Sequence, residues 1–318
     1  MPDNPMLLIT GGSGSLGHAL IPEAIRLGFE RIILFSRNEY LQHLTAEKFR
    51  EESRFLRFFL GDVRDFERLK EALSLGVTHV IHAAALKHVP GAEADPTEAV
   101  HTNVLGALNV VKACRETDSV TTCLGISSDK ACAPLNAYGA SKLLMEKIFL
   151  AASSEKDFLC TRYGNVINSA GSVLHRFLAC REKGQPLALT NPGMTRFWMT
   201  LEEAAGCVGK ALFSGFGGSV LIPKLPGFKV MDLAEALAPG ETRKILGIRP
   251  GEKLDESLYS EDESLWVEES PAWFRLSTLG KLSGNPFLMG SDCNSGTAHR
   301  LALPEIKERL AAMRIETP

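Results

Sequence analysis

The sequence lacks several features that mark whole classes of protein. It contains no apolar run long enough to span a bilayer, and no basic segment precedes a long apolar core near its first residue. We therefore expect neither a membrane association nor a secretory signal. The net charge is only -3, which gives no reason to predict a nucleic-acid partner.

The sequence also lacks the cysteine pattern that is typical of disulfide-bonded proteins. The seven cysteines are an odd number, are scattered along the chain and form no C-x-x-C pair. This pattern favours reduced thiols in a cytoplasmic protein over a disulfide framework, and we predict no metal site. With 45% hydrophobic and 23% charged residues, the 318-residue chain is typical of a soluble globular protein.

A glycine-rich motif follows the first apolar run. Residues 6–10 (MLLIT) predict a strand, and the next residues, GGSGSLG, run into a helical apolar pattern. Gly11 allows a tight turn, Gly14 lets the backbone approach a pyrophosphate, and Gly17 lets the helix pack on the strand. In the order strand, turn and helix, this motif predicts a dinucleotide site.

Further strands alternate with helical segments. The apolar patterns predict strands at residues 31–35, 55–60, 78–84, 120–126, 158–161 and 219–223, with long helices at 93–115 and 136–152. We predict an α/β fold: a Rossmann-type doubly wound parallel sheet with a smaller C-terminal substrate-binding lobe. Residues 1–165 form the cofactor domain, 201–222 return to it, and 166–200 and 223–318 form the lobe.

The residues after the second and third strands point to the type of dinucleotide. Ser36 and Arg37 stand where an NAD site usually has an acidic residue, and a guanidinium suits a 2′-phosphate. NADP is therefore favoured over NAD, unless Arg37 is only a solvated loop residue. Asp62 either accepts a hydrogen bond from the adenine amino group or caps the helix that starts near Asp65.

Small residues follow the fourth strand, and two polar residues follow them. Ala83 and Ala84 would let a dinucleotide lie close to the backbone, while Lys87 and His88 stand at the same edge of the sheet. For His88 a structural hydrogen bond and a contact with substrate remain equally open.

The densest group of reactive side chains follows the fifth predicted strand. Ser128, Asp129 and Lys130 come at its end, and Tyr138 and Lys142 lie four residues apart on the next helix, hence on one face. A lysine ammonium beside a phenol lowers the pKa of the phenol, which predicts that Tyr138 acts as a base. The alternative is an exposed tyrosine and lysine without a role.

Charged residues recur in two later segments. Arg196 lies in GMTRFWMT, and Arg249 and Glu252 lie on the Pro-Gly loop of GIRPGE. Arginine-rich loops suit the recognition of phosphates. The two long helices are apolar around much of their circumference, which predicts burial against another subunit and hence a homo-oligomer.

Together these residues resemble the extended short-chain dehydrogenase/reductase superfamily. More narrowly, the chain is similar to the soluble, inverting-type UDP-N-acetylglucosamine 4,6-dehydratases over roughly residues 6–269. The blocks that carry the resemblance are LITGGSGSLG, LFSRNE, GDVRD, HAAALKHVP, ISSDKACAPLNAYGASK, RYGNV, MTRFWMT and RPGEK. The Asp-Lys pair nine residues before the tyrosine separates these dehydratases from sugar epimerases of the same fold.

The resemblance implies a reaction and a role for each catalytic residue. Tyr138, with Lys142 beside it, would remove the proton of the C4 hydroxyl, and Ser128 would hold that oxygen. Lys130, unprotonated, would remove the C5 proton, and Asp129, protonated, would give a proton to the departing C6 hydroxyl. NADP would take a hydride from C4 and return it to C6, so no net oxidation occurs.

The resemblance also implies the binding residues. Those for NADP are Gly11, Ser13, Gly14, Leu16, Gly17, Ser36, Arg37, Asp62, Val63, Ala83, Ala84, Lys87, Tyr138 and Lys142. Those for the UDP-sugar are Lys87, His88, Asn165, Arg196, Arg249 and Glu252. Four positions depart from the family pattern: Ser128 stands where threonine is more common, the family has arginine near Ala170 and proline near His175, and Asp255 stands where histidine is usual.

Two other functions stay open on the sequence. A UDP-sugar 4-epimerase shares the fold but has no need of Asp129 and Lys130. A non-catalytic NADP-binding sensor usually lacks one member of the Tyr-Lys pair, and both are present here. The nucleotide, the sugar and the configuration at C5 are not determined by these residues.

Overall fold

The computed structural model describes residues 4–277, 288 and 290–313, so parts of the predicted lobe at 278–287, 289 and 314–318 lie outside it. The strands are β1 (Met6–Thr10), β2 (Arg31–Ser36), β3 (Leu56–Leu60), β4 (His79–His82), β5 (Thr122–Ile126), β6 (Asp157–Thr161), β7 (Leu187–Leu189), β8 (Thr195–Phe197), β9 (Ser219–Pro223), β10 (Gly227–Lys229), β11 (Arg243–Ile245), β12 (Ser257–Tyr259), β13 (Val267–Glu269), β14 (Trp273–Ser277) and β15 (Cys293–Asn294). The α-helices are α1 (Ser15–Arg26), α2 (Glu39–Lys48), α3 (Phe66–Leu73), α4 (Val89–Ala94), α5 (Pro96–Ala99), α6 (Gly106–Arg115), α7 (Ala137–Ala151), α8 (Val173–Glu182), α9 (Leu201–Leu212), α10 (Val230–Leu237), α11 (Glu261–Ser264) and α12 (Leu303–Ala312).

The main sheet has the strand order β3-β2-β1-β4-β5-β6-β9-β14-β13. Strands β1 to β6 and β9 run parallel. The chain winds first to one side of β1 and then to the other, so the predicted Rossmann-type doubly wound sheet is confirmed. Because the order reverses between β1 and β4, a crevice opens there at the carboxyl ends of the strands.

The central strands are apolar on both faces because helices cover both faces of the sheet. Leu8 belongs to a core that also holds Leu69 of α3 and Val110 of α6. Its neighbour Ile9 belongs to the opposite core, with side chains from α1 and α9. Successive residues of β1 thus point to opposite layers, which fixes the register of the strand.

The helix predicted at residues 93–115 is interrupted. The Asp95 side chain accepts a hydrogen bond from the amide of Glu98 at 3.1 Å and caps α5, and Pro96 takes the first helical position, where no amide donor is needed. Val100–Leu105 then form a π-helical turn that leads into α6. The proline and the cap replace one long helix with shorter segments.

The edge of the sheet beyond β6 is built from the second half of the chain. The predicted strand at 219–223 is β9; β14 pairs antiparallel with β9, and β13 pairs antiparallel with β14. The prediction had placed residues 267–277 in the lobe instead. A separate apolar core gathers side chains from α8, α10 and α12 around Trp198 and Phe228.

No helix within the described part of the chain has the length and apolar character needed to cross a membrane. All seven cysteines are free thiols, and four of them are buried: Cys114, Cys123, Cys132 and Cys160. Packing and hydrogen bonds, rather than disulfides, therefore hold the fold.

A buried ionic network joins the sheet to the second half of the chain. Arg162 follows β6 and is fully buried. Its guanidinium donates to Glu146 on α7 at 2.7 and 2.9 Å and to Glu263 on α11 at 2.7 and 2.9 Å. Burial alone would lower the pKa of Arg162, but the two carboxylates raise it, so the guanidinium stays charged.

We expect Arg162→Met to reduce the free energy of unfolding by about 3–5 kcal/mol, because two carboxylates are left without their cation. Denaturation by urea, followed by circular dichroism, measures this change. Arg115→Met is the control, because Arg115 pairs with Glu155 at the surface and should leave the midpoint nearly unchanged. An equal loss in both variants would show that the Arg162 network is not a major source of stability.

Candidate active site

A cavity of about 620 Å³ opens at the carboxyl ends of β1, β2, β4 and β5. Its volume is in the range of sites that hold small molecules and cofactors. It is lined by every residue predicted for the cofactor and for catalysis, namely Gly11, Ser13, Gly14, Leu16, Gly17, Ser36, Arg37, Asp62, Val63, Ala83, Ala84, Lys87, Ser128, Asp129, Lys130, Tyr138 and Lys142. Segments far apart in the sequence thus meet around one space.

The glycine-rich turn has the geometry that a pyrophosphate site needs. Gly11 has a φ of +70°, and a Cβ there would lie 2.9 Å from the backbone nitrogen of Ala84. A Cβ on Gly17 would overlap the carbonyl of Gly12. Gly14 precedes α1 and supplies no capping side chain, so the first amides of α1 stay available to an anion in the cavity.

The rim of the cavity beyond β2 is polar. The hydroxyl oxygens of Ser13 and Ser36 lie 2.8 Å apart. Arg37 is half exposed, and its guanidinium lies 3.6 Å from the Asp62 carboxylate and 3.8 Å from the Glu98 carboxylate. The structure thus holds Arg37 at the cavity mouth rather than in a loop away from it.

The capping role considered for Asp62 is filled by another residue. Asp65 caps α3, because its side chain accepts a hydrogen bond from the amide of Arg68 at 3.0 Å. Asp62 accepts from the Arg64 guanidinium at 2.6 Å. Burial alone would raise the pKa of Asp62, but hydrogen bonds and charge from Arg64 lower it. Asp62 is therefore a carboxylate at the cavity wall.

Three predicted catalytic residues are held by a single 3₁₀ turn, Asp129–Ala131, that follows β5. Ser128 caps this turn: its oxygen accepts a hydrogen bond from the Lys130 amide at 3.3 Å and its hydroxyl donates to Asp129 Oδ1 at 2.8 Å. The Asp129 amide donates to the carbonyl of Tyr163 at 3.0 Å. The turn is thereby fixed to the segment that follows β6.

Lys130 lies between two buried carboxylates. Its Nζ is 3.1 Å from Asp129 Oδ1 and 3.2 Å from Glu256 Oε1. Burial alone would lower the pKa of Lys130, but the charges of Asp129 and Glu256 raise it above its ordinary value. The structure therefore favours the ammonium form, whereas the expected base at C5 is the neutral amine.

Tyr138 and Lys142 lie one turn apart on α7, and both are buried. The helix begins after Asn136, whose side chain accepts a hydrogen bond from the amide of Gly139 at 2.7 Å. Lys142 donates to the carbonyl of Ile126 at 2.7 Å, and burial lowers its pKa to about 8.

The expectation that Lys142 lowers the pKa of Tyr138 is wrong for this structure. Burial raises the pKa of Tyr138 and outweighs two opposing effects, a hydrogen bond with Ser128 and the charge of Lys130. The cation that favours the phenolate is Lys130, because the Lys142 ammonium is directed to the end of β5. Tyr138 is thus a phenol in this structure.

Asn103, in the π-helical turn, forms hydrogen bonds with two segments that line the cavity. Its side-chain oxygen accepts from the Leu86 amide at 2.8 Å, and its Nδ2 donates to the Leu86 carbonyl at 3.0 Å and to Ser141 Oγ at 2.9 Å. Ser141 in turn donates to the carbonyl of Tyr138 at 2.7 Å. One amide therefore connects the loop after β4 with the catalytic helix.

Three of the six predicted substrate residues, Lys87, His88 and Asn165, line the cavity. Lys87 Nζ donates to the carbonyl of Ala170 at 2.9 Å, and burial lowers its pKa. His88 immediately precedes α4 but makes no capping hydrogen bond there. Its imidazole is thus not used to begin the helix.

The other three substrate residues, Arg196, Arg249 and Glu252, are not part of the cavity wall. Arg196 lies behind it, with Nε 3.9 Å from Glu256 Oε1. Glu252 accepts a hydrogen bond from the Arg249 amide at 3.3 Å, which closes their loop. The loop reaches the site indirectly, since Asn136 donates to the carbonyl of Gly251 at 2.8 Å.

Sequence reasoning missed Glu256, the second carboxylate on Lys130. The residue comes directly after the RPGEK block and Asp255, and more than a hundred residues separate it from Lys130. The sequence offered one indication of its role: Glu256 is an acidic residue directly after a block that was already assigned to the site. No spacing along the chain connects it with Lys130, because only the fold brings the two together.

Comparisons with known proteins show which family the chain belongs to. A protein family described as "Polysaccharide biosynthesis protein" matches residues 7–278. A UDP-N-acetylglucosamine 4,6-dehydratase (inverting) of Campylobacter jejuni is 44% identical over 278 aligned positions, covering 85% of this chain and 82% of the relative. A UDP-glucose 4-epimerase of Rickettsia rickettsii is 38% identical over 330 aligned positions, covering 96% of this chain and 95% of the relative.

Solved structures with the same fold were also found. Pen from Bacillus thuringiensis superposes with a TM-score of 0.91 at 32% identity, covering 98% of each chain. DesIV, a dTDP-glucose 4,6-dehydratase of Streptomyces venezuelae solved with NAD bound, has a TM-score of 0.71 at 21% identity, covering 78% of this chain and 86% of DesIV, and shares the fold. With its fold, its glycine-rich turn and its Tyr-Lys pair, the chain belongs to this polysaccharide biosynthesis family of the extended short-chain dehydrogenase/reductases.

Proposed function

We propose that this chain is a nucleotide-sugar 4,6-dehydratase that converts UDP-N-acetylglucosamine, or a close relative, to a 4-keto-6-deoxy sugar, with inversion at C5. The observation that carries the proposal is the Asp129–Lys130 pair, which lines the cavity with Ser128 and Tyr138. Dehydration needs an acid at C6 and a base at C5, whereas 4-epimerisation needs neither. The relative from Campylobacter jejuni, 44% identical, carries this activity in its name.

Each catalytic side chain has one task. Tyr138 acts in its phenolate form, which the Lys130 charge favours, and takes the proton of the C4 hydroxyl, while Ser128 holds that oxygen. The C4 ketone acidifies the C5 proton, which Lys130 removes as a neutral amine. Asp129 gives its proton to the C6 hydroxyl, which leaves as water. Asp129 and Lys130 are held on one turn, so acid and base act on neighbouring carbons.

The residues around the glycine-rich turn fit a nicotinamide dinucleotide, and we propose NADP. A nicotinamide bound there would supply the hydride chemistry, uptake from C4 of the sugar and return to C6, and a proton added at C5 from the opposite face would complete the product. Gly11 leaves the backbone open to the pyrophosphate, and the start of α1 favours its charge. Ser36 and Arg37 supply a hydroxyl and a guanidinium at the rim, which suits the 2′-phosphate.

The substrate lobe is proposed to comprise residues 166–200 and 223–318, without the strands that extend the sheet. Lys87, His88 and Asn165 face the sugar or its diphosphate from the cavity wall. Arg196, Arg249 and Glu252 act from behind that wall unless the loop of Arg249 moves toward the substrate. A cytoplasmic location and a homo-oligomer stay predictions from the sequence.

A UDP-sugar 4-epimerase is the second candidate, because the Rickettsia rickettsii relative with that name covers nearly all of this chain. The same Tyr138 and cofactor would serve it. The buried acid and base at positions 129 and 130 would then have no chemical task. This weighs against the epimerase, because its reaction has no step at C5 or C6 that would use the Asp129–Lys130 pair in the cavity.

The first test is incubation of the purified protein with UDP-N-acetylglucosamine in deuterated water, followed by mass spectrometry and NMR. We expect loss of water, a new C6 methyl signal, deuterium at C5 and the inverted configuration there. An unchanged mass with a galacto-configured product would establish the epimerase instead. If neither product forms, the same assay with other UDP- and dTDP-sugars decides between another substrate and a non-catalytic protein.

Lys130→Ala should abolish dehydration and leave cofactor binding intact, because Lys130 contacts the acid pair and not the glycine-rich turn. A loss of about 10²–10⁴-fold is the usual effect of removing a general base. Product formation is measured by mass spectrometry and NADP binding by calorimetry. Lys147→Ala, at an exposed position of α7, is the control. If Lys130→Ala also loses NADP, the assigned role is wrong.

Arg37→Ala should weaken NADP binding far more than NAD binding. Loss of a charge-assisted hydrogen bond to the 2′-phosphate corresponds to about 1.5–3 kcal/mol, or about tenfold to a hundredfold in affinity. Calorimetric titration of each cofactor measures the ratio. Arg31→Ala, at the opposite end of β2, is the matched control. Equal losses for both cofactors would show that Arg37 does not read the 2′-phosphate.

A further inference from the structure

Glu256 is fixed in the site by its backbone. Its amide donates to Ser295 Oγ at 3.0 Å, and its carbonyl accepts from the Ser295 amide at 2.8 Å. The residue is only 2% exposed. Its side chain reaches Lys130 from the segment just before β12. Burying such a rigid carboxylate costs folding free energy unless a cation or a proton offsets its charge.

Two carboxylate oxygens in this cluster have no hydrogen-bond partner among the residues that the structure describes. Asp129 Oδ1 and Glu256 Oε1 both contact Lys130, whereas Asp129 Oδ2 and Glu256 Oε2 are buried without a hydrogen bond to any described residue. A buried oxygen without a donor is suited to carry a proton itself. The cluster therefore has two carboxylate oxygens that could each bind a proton, in addition to the protons that Lys130 carries.

The proposed reaction demands an unusual distribution of protons, and this inference rests on that reaction. Asp129 must be protonated while Lys130 is neutral. An isolated carboxylate and amine at 3.1 Å would instead settle as an ion pair, with the proton on nitrogen. A third group is needed to take the proton from Lys130 while Asp129 keeps its own.

We propose that Glu256 is a positioning residue for Lys130 that also accepts its proton, which makes Lys130 the base at C5. One N–H bond of the Lys130 ammonium breaks, and an O–H bond forms on Glu256. The products are a neutral amine and a neutral carboxylic acid, so no charge is left over. Asp129 keeps the proton that the leaving hydroxyl takes.

The charged groups around Glu256 agree with this role. Burial is the largest cause that raises the pKa of Glu256, and the charge of Asp129 adds to it only while Asp129 is ionised; Lys130 and Arg196 act in the opposite direction. Tyr138 faces the same ammonium from α7. Arg196 lies 3.9 Å from Oε1, beyond a hydrogen bond, so it limits but does not prevent protonation of Glu256.

The decisive variant is Glu256→Gln, because the amide oxygen still accepts a hydrogen bond from Lys130 but cannot accept its proton. With UDP-N-acetylglucosamine in deuterated water, we measure reduction of bound NADP by absorbance and deuterium entry at C5 by NMR. We expect reduction within about twofold of the parent, and C5 exchange and dehydration slower by about 10²-fold. Glu256→Asp, which keeps a carboxylate, should recover part of the exchange.

Controls separate this role from a structural one. Asp255→Asn changes the neighbouring acid, which accepts from Thr195 Oγ1 at 2.5 Å, and should alter neither step. Thermal unfolding by circular dichroism verifies that each variant is folded. C5 exchange at the parent rate in Glu256→Gln would overturn the proposal. So would an equal fall in cofactor reduction and C5 exchange in a folded variant. A parent protein that processes no nucleotide sugar would instead refute the proposed function.

Discussion

An ammonium group enclosed by two carboxylates is the constraint on which the site depends. Moving an isolated ion out of water costs several kcal/mol, so Lys130 can be buried only beside Asp129 and Glu256. Asp129 is supplied by the turn after β5, and Glu256 by a segment pinned to Ser295. The position of the reactive amine therefore follows from two distant parts of the chain meeting at one point.

A second buried cation follows the same rule. Arg162 is bound by Glu146 from α7 and by Glu263 from α11, as Lys130 is bound by one near and one distant carboxylate. Glu256 and Glu263 belong to one short stretch of the chain. That stretch supplies a carboxylate to each of two cations at the carboxyl edge of the sheet. It therefore contributes to the stability of the fold through Arg162 and to the proposed chemistry through Lys130.

The sequence alone was sufficient to predict the features that depend on neighbouring residues or on a periodic pattern of apolar residues. The strand-turn-helix at Gly11 and the Tyr138–Lys142 spacing depend on neighbouring residues, and the parallel sheet follows from apolar runs between helices. The pairing of β14 with β9 and the contact of Glu256 with Lys130 are long-range, and no spacing encodes them. The pKa of Tyr138 was assigned in the wrong direction because burial, which outweighs the nearby cations, is a property of the folded state.

The late position of the charged stretch has a consequence for biosynthesis. When a growing chain has emerged from the ribosome only as far as β9, all strands of the parallel sheet are present, yet Lys130 and Arg162 each have a single carboxylate. Domains fold as their residues emerge, but here each buried cation gains its second carboxylate only after Glu256 and Glu263 have been added. A nascent fragment that ends earlier would leave some N–H groups of these two cations without acceptors in its interior, so the active centre is completed only after translation has passed this stretch.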